Sequence, residues 1–184
     1  MKKFALFGFF VLANTQAANY RGIEYSIEPL YGREKSQISG SNYLWSYYYG
    51  ARISVRYDFI GGEFTYTRTD SGTLLGAALN ESNGFEVEKL KIGILAPYAV
   101  TPELNLLGRI GGSAKRVTEY NITGFTLNRI VHPPTYAPYI GIGAEYNLLE
   151  FLAVTASATV TFNGIPDDLF NNDYEFSGGV RFFF

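Results

Sequence analysis

The 184-residue sequence contains no cysteine. That absence removes disulfide frameworks, thiolate nucleophiles and cysteine-ligated metals together. Histidine occurs once, as His132 in Val131-His132-Pro133-Pro134, with no serine close by in the sequence. Catalytic sites that pair a histidine with serine or a carboxylate therefore have one loop residue to draw on, and a histidine-rich metal site is excluded. There is no excess of basic charge, with 15 Lys and Arg against 17 Asp and Glu, so nothing suggests a nucleic-acid partner. Beyond the N-terminus no apolar run approaches the ~18–20 residues of a membrane-spanning helix. Gly111-Gly112 and Gly178-Gly179 lie inside alternating segments with no helix to follow, so packing explains them better than phosphate binding. No cofactor is expected.

What the chain does have begins with Lys2 and Lys3, the apolar run Phe4 to Ala13, and the small-residue site ending at Ala17. This is the pattern of a secretory signal peptide over residues 1–17, leaving residues 18–184 as the mature domain. Losing Lys2 and Lys3 from the 15 basic residues leaves 13 against 17 acidic, a net charge of −4.

From Tyr20 onward, side chains alternate with a period of two, the signature of strands. Eight such segments are expected, at about Arg21–Tyr31, Trp45–Phe59, Glu63–Thr69, Phe85–Tyr98, Leu104–Arg116, Tyr136–Asn147, Leu152–Phe162 and Tyr174–Phe184. Long polar connections (32–44, 70–84, 117–134 and 163–173) alternate with short turns at Ile60-Gly61-Gly62, Val100–Glu103 and Asn147–Glu150. Eight strands, with both termini on the short-turn side, predict an all-β, eight-stranded antiparallel up-and-down barrel. Pro29 and Pro138, inside two segments, are expected at bulges or strand ends because each removes a ladder N–H.

The two faces differ in chemistry. One carries Glu24, Glu28, Glu63, Glu145 and Glu175 together with Arg52, Arg56, Lys89, Lys91, Arg109 and Arg181. Turned to lipid, six basic residues at ~2–4 kcal/mol each would exceed the ~5–15 kcal/mol that holds a domain folded, so this face must line the lumen. The other face is banded. Tyr31, Tyr47, Tyr49, Tyr136, Phe162, Tyr174 and Phe176 fall near the long-loop ends, and Tyr57, Phe59, Phe64, Tyr98, Tyr146, Phe182 and Phe184 near the short turns. Between these bands come Ile, Val, Leu, Ala and Gly. Two aromatic belts about ten residues apart suit the interfaces of a bilayer crossed by tilted strands of ~9–11 residues.

Glu24 with Arg56 and Glu28 with Arg52 have equal residue-number sums, so a hairpin centred near Gly40 would set each pair across neighbouring strands. Arg109, Glu145 and Arg181 would extend the network. Buried charges persist only when paired and hydrogen-bonded, so the expected lumen is a closed polar plug, with a gated narrow channel as the alternative. Charges such as Glu34, Lys115 and Asp173 are assigned to the long loops, a surface for contact with other molecules.

The signal peptide, the strand count and the closing Tyr174-x-Phe176-x-Gly178-x-Val180-x-Phe182-x-Phe184 resemble the OmpA-type outer-membrane barrels, a group that includes the opacity proteins and the OmpX and Ail adhesins. The resemblance implies export through the periplasm to the outer membrane of a Gram-negative bacterium. It also implies insertion by the outer-membrane assembly machinery, with Phe184 in the recognition signal. Further implications are a monomer, contact with lipopolysaccharide and other outer-membrane lipid, and loops that meet a host or surface ligand. An envelope-structural or adhesin-like role follows, ahead of a narrow channel and of a lipid-modifying enzyme. OmpA itself continues into a peptidoglycan-binding domain, whereas this sequence stops at Phe184, so no peptidoglycan tether is expected.

Overall fold

Period-two alternation is realised as strand in every one of the eight segments. The computed structural model describes residues 22–39, 42–69, 83–123, 126–163 and 172–184; the signal segment 1–17 and the connections 70–82 and 164–171 lie outside them. The strands are β1 (Ile23–Ser39), β2 (Asn42–Tyr57), β3 (Ile60–Thr69), β4 (Asn83–Ala99), β5 (Leu104–Thr123), β6 (Thr126–Val131), β7 (Thr135–Leu149), β8 (Leu152–Thr161) and β9 (Asp173–Phe183). They pair in the order β4-β3-β2-β1-β9-β8-β7-β5, and β4 pairs β5 to close a barrel of eight antiparallel strands. The β6 strand pairs the far part of β5, so β4, β5 and β6 rise together beyond the barrel wall.

The β1–β2 register sets Glu24 opposite Arg56 and Glu28 opposite Arg52, as equal residue-number sums require. Several boundaries differ from the sequence reading. The β2–β3 turn is Asp58-Phe59, with Asp58 at φ 48°, and not Ile60-Gly61-Gly62. Gly61 and Gly62 are paired strand residues, and Phe59 stands in the turn instead of the strand. The polar stretches 32–39, 42–44 and 117–123 are strand, not loop, and β6 is an additional strand inside the connection expected to be irregular. Alternation of apolarity fades along these stretches, while backbone pairing continues. Neither proline makes a bulge. The β1–β9 ladder keeps one register but lacks its rungs at Glu28 and Pro29. Pro138 pairs with Gly112 on one side, and on the other its carbonyl accepts the Phe162 N–H at 2.9 Å, just past the end of β8.

Burial is inverted relative to a water-soluble domain. Ile142 is 72% and Ile92 62% exposed on the outer wall, whereas Arg181 and Glu145 are 0% exposed inside. Backbones approach closely under Tyr139, whose ring lies across Gly93 and Gly111. A Cβ on Gly93 would collide with the Tyr139 hydroxyl and come within 2.6 Å of the Ile110 carbonyl oxygen, so only glycine lets that ring lie flat.

Candidate functional site: the charged lumen

Lumen positions follow from strand parity: even residues of β1 and β2, odd residues of the remaining wall strands. Near the short turns, Arg56 donates from Nε to Glu24 at 2.7 Å and from Nη1 to Glu145 at 2.9 Å, with its guanidinium 5.1 Å from the Phe183 ring centre. Glu145 also accepts from Asn105 Nδ2 at 3.1 Å and pairs with Arg181. Arg181 then reaches Glu28 through Nε at 3.0 Å, and Glu28 accepts from Arg52 Nη1 at 3.1 Å and from the Thr155 hydroxyl at 2.5 Å.

Glu63 organises the middle of the lumen. It accepts from Arg109 Nε at 3.1 Å and from the Tyr139 hydroxyl at 3.0 Å, with Arg52 Nε 3.7 Å away. Arg109 thus pairs with Glu63 of β3, over the intervening β4, and not with Glu145 on the neighbouring β7; β5 sets Asn105 beside Glu145 and Gly141 beside Arg109.

Toward the long loops, Lys89 is surrounded by Glu34 at 2.9 Å, Ser36 at 2.8 Å, Asp173 at 3.0 Å and Glu175 at 3.1 Å. Lys91 pairs with Glu175, and Lys115 with Asp173 at 3.0 Å. Asp173 further accepts the Gln37 backbone N–H at 2.8 Å.

Glu34, Lys115 and Asp173 are therefore lumen residues and not loop charges. The signal for them was parity: Glu34 continues the even positions of Glu24 and Glu28, Lys115 the odd positions of Arg109 and Ser113, and Asp173 those of Glu175 and Arg181. With these three included, the described lumen holds seven cations (Arg52, Arg56, Lys89, Lys91, Arg109, Lys115, Arg181) and seven carboxylates (Glu24, Glu28, Glu34, Glu63, Glu145, Asp173, Glu175), so it is neutral. Every one of the fourteen has an opposite charge within 4 Å, the arrangement that lets ionised groups persist away from water. Leu30, Leu95 and Leu107 fill the space between them. The carboxylates face ammonium and guanidinium groups, and among the described residues no trio of His, Asp and Glu is arranged to hold a metal ion. His132 sits outside the lumen, in the bend after β6, with Nε2 3.4 Å from Glu119.

On the outer wall, Tyr31, Tyr47, Tyr49, Tyr136 and Phe176 are exposed toward the long-loop end. Tyr57, Phe59, Phe64, Tyr98 and Tyr146 are exposed toward the short turns, while Phe162, Tyr174, Phe182 and Phe184 are half-buried. Tyr31 and Tyr47 stack at 5.9 Å.

No family model matches the sequence, and no curated protein matches it. Solved structures do. Neisserial surface protein A superposes with a TM-score of 0.65 at 13% identity, covering 88% of this chain and 96% of that one. The chain has the fold of the eight-stranded outer-membrane barrels. A major outer membrane protein of Thermus thermophilus gives 0.62 at 12% identity, covering 88% and 99%. Ail, the attachment invasion locus protein of Yersinia pestis, gives 0.57 at 15% identity, covering 88% and 98%. Likeness at this identity lies in the fold of the barrel wall.

Proposed function

We propose that this protein is a monomeric, non-enzymatic barrel of the Gram-negative outer membrane, with an envelope-structural and surface-contact role. Residues 1–17 direct its export, Phe184 belongs to the signal read by the assembly machinery, and the two aromatic bands lie at the bilayer interfaces. The observation that carries this reading is the inverted burial: a belt of exposed Ile, Val and Leu around a core of paired charges, which water would disfavour and acyl chains favour. Spin labels test it. In vesicles, labels at Ile142 and Val154 should be accessible to oxygen and shielded from a polar relaxation agent. Labels at Ile23 and Asp58, near the short-turn rim, should show the reverse. Aqueous exposure at Ile142 and Val154 would overturn the placement. For Phe184, alanine substitution should lower insertion in cells while leaving refolding in detergent intact, and equal insertion would remove it from the signal.

The surface-contact role is supported by likeness to Ail and by the β4–β5–β6 extension, which carries Arg129, Ile130 and Val131 exposed beyond the wall. Replacing residues 121–128 by a short turn should reduce attachment to host-type surfaces without raising detergent sensitivity of the cells. Raised sensitivity with unchanged attachment would leave only the envelope role.

A further inference from the structure

The ion pairs of the lumen divide into two groups. Toward the long loops, Lys89, Lys91 and Lys115 meet Glu34, Asp173 and Glu175, three charges of each sign. Below them Arg52, Arg56, Arg109 and Arg181 share Glu28, Glu63 and Glu145, with Glu24 as the fourth carboxylate. Glu24 stands at the mouth with 43% of its side chain exposed, so water screens it. The buried part of this group therefore carries one positive charge in excess.

That excess falls on Arg109. Its side chain is 1% exposed and its Nε donates to Glu63, but Nη1 and Nη2 have no acceptor among the described residues. Arg181, as deeply buried, places all three of its nitrogens on carboxylates. Buried N–H groups of a cation are costly to leave unpaired. We propose that a small monovalent anion, chloride in a saline medium, binds Arg109 at Nη1 and Nη2 inside the lumen.

The wall beside Arg109 carries only small residues. Gly143 of β7, Ser157 of β8, Ser177 of β9 and Gly32 of β1 pair in one row across four strands, and Gly141 stands opposite Arg109 itself. A Cβ on Gly143 would come within 3.0 Å of Arg109 Nη1 and 3.3 Å of the Ser157 Cβ, so the guanidinium and this serine border the same bare stretch of backbone. The hydroxyls of Tyr48, Ser177 and Ser157 form a chain, the two serines 2.7 Å apart. Three hydroxyls joined by two bonds keep one hydrogen to give elsewhere. Glu63 is already engaged by Arg109 Nε and by the Tyr139 hydroxyl. What converges beside Gly143 is thus a set of donors next to an uncompensated cation. A water there brings no charge, whereas an anion needs only donors and restores neutrality.

Crystals of the refolded barrel soaked in sodium bromide test the position. An anomalous peak should lie in contact with Arg109 Nη1 or Nη2. Without such a peak the proposal falls, and ordered density there that lacks anomalous signal would be water. Stability tests the same site in solution. At constant ionic strength, replacing gluconate, too bulky for the site, by chloride from about 1 to about 100 mM should raise the folded-to-unfolded ratio in urea about tenfold, for a dissociation constant of about 10 mM. R109Q should abolish both that response and the bromide peak, while R68Q/R116Q, on the outer wall, should retain them. Equal stability in gluconate and chloride, or a chloride response that survives in R109Q, would overturn the site. Should R109Q fail to fold, the bromide peak and the chloride titration of the unaltered chain decide between the two outcomes.

Discussion

Arg181 sits between Glu28 and Glu145 with no exposed surface, and it is the residue through which the short-turn cluster joins the middle of the lumen. Removing one partner of a buried pair leaves its neighbours charged and desolvated, which costs ~3–5 kcal/mol. Arg181→Met should therefore lower the unfolding free energy of the refolded barrel by about that amount in urea titrations, and adding Glu28→Gln should restore part of the loss. A loss no larger than that of an exposed substitution would mean that water reaches these carboxylates. A second test concerns backbone space. Gly93→Val should prevent folding or destabilise strongly, because Tyr139 and the Ile110 carbonyl occupy the site, whereas Gly62→Val meets nothing within 4 Å and should be tolerated. Folded fractions of the two variants, read from heat-dependent gel mobility, make the comparison. At this scale the sequence was informative where a charge had an apolar neighbour to reveal its parity. Glu24, Glu28, Arg52 and Arg56 could be paired by number alone. Glu34, Lys115 and Asp173 could not, because number sums match only the two strands of a hairpin and their partners stand on more distant strands, Glu34 on β1 with Lys89 on β4 and Lys115 on β5 with Asp173 on β9.

Among the strands, the seam between the first and the last is interrupted within its ladder. β1 and β9 share eight rungs and miss those at Glu28 and Pro29, where β4 and β5 share seventeen. Side chains partly compensate, since Arg181 and Glu28 bridge the two strands at the gap left by the proline. Hydrogen exchange should therefore release the β9 amides that face β1 before those between β4 and β5, because local opening follows the poorest hydrogen-bonded ladder. Simultaneous release of both would show that the seam is no weaker than the rest. Element type was readable for the eight strands of the wall, since period-two alternation survives even in the glycine-rich β5, but not for β6. Element length was not. Pairing of β1 with β2 runs on past Tyr31 through Gly32-Arg33-Glu34-Lys35-Ser36-Gln37, a polar run that does not announce a strand, and the β5–β6 hairpin is drawn from residues whose polarity suits a loop equally well.

For the molecule as a whole, the arrangement of lumen charges bears on conduction. Layers centred on Arg181, Glu63 and Lys89 cross the interior at successive heights, each tied to several strands. The barrel should be electrically silent in planar bilayers, and Arg52→Ala should leave it so or produce only irregular leak. Frequent, defined openings in the wild type that change on Arg52→Ala would replace the plug with a gate.

The neutral interior also constrains how such a barrel can diverge. A substitution of an exposed apolar residue on the outer wall strands no buried charge and is absorbed locally. A substitution of Glu28, Glu145 or Lys89 strands several opposite charges at once. Descendants of this sequence should therefore drift freely on the outside while exchanging interior charges only in compensating couples, a covariation that would trace the ion-pair map without any coordinates.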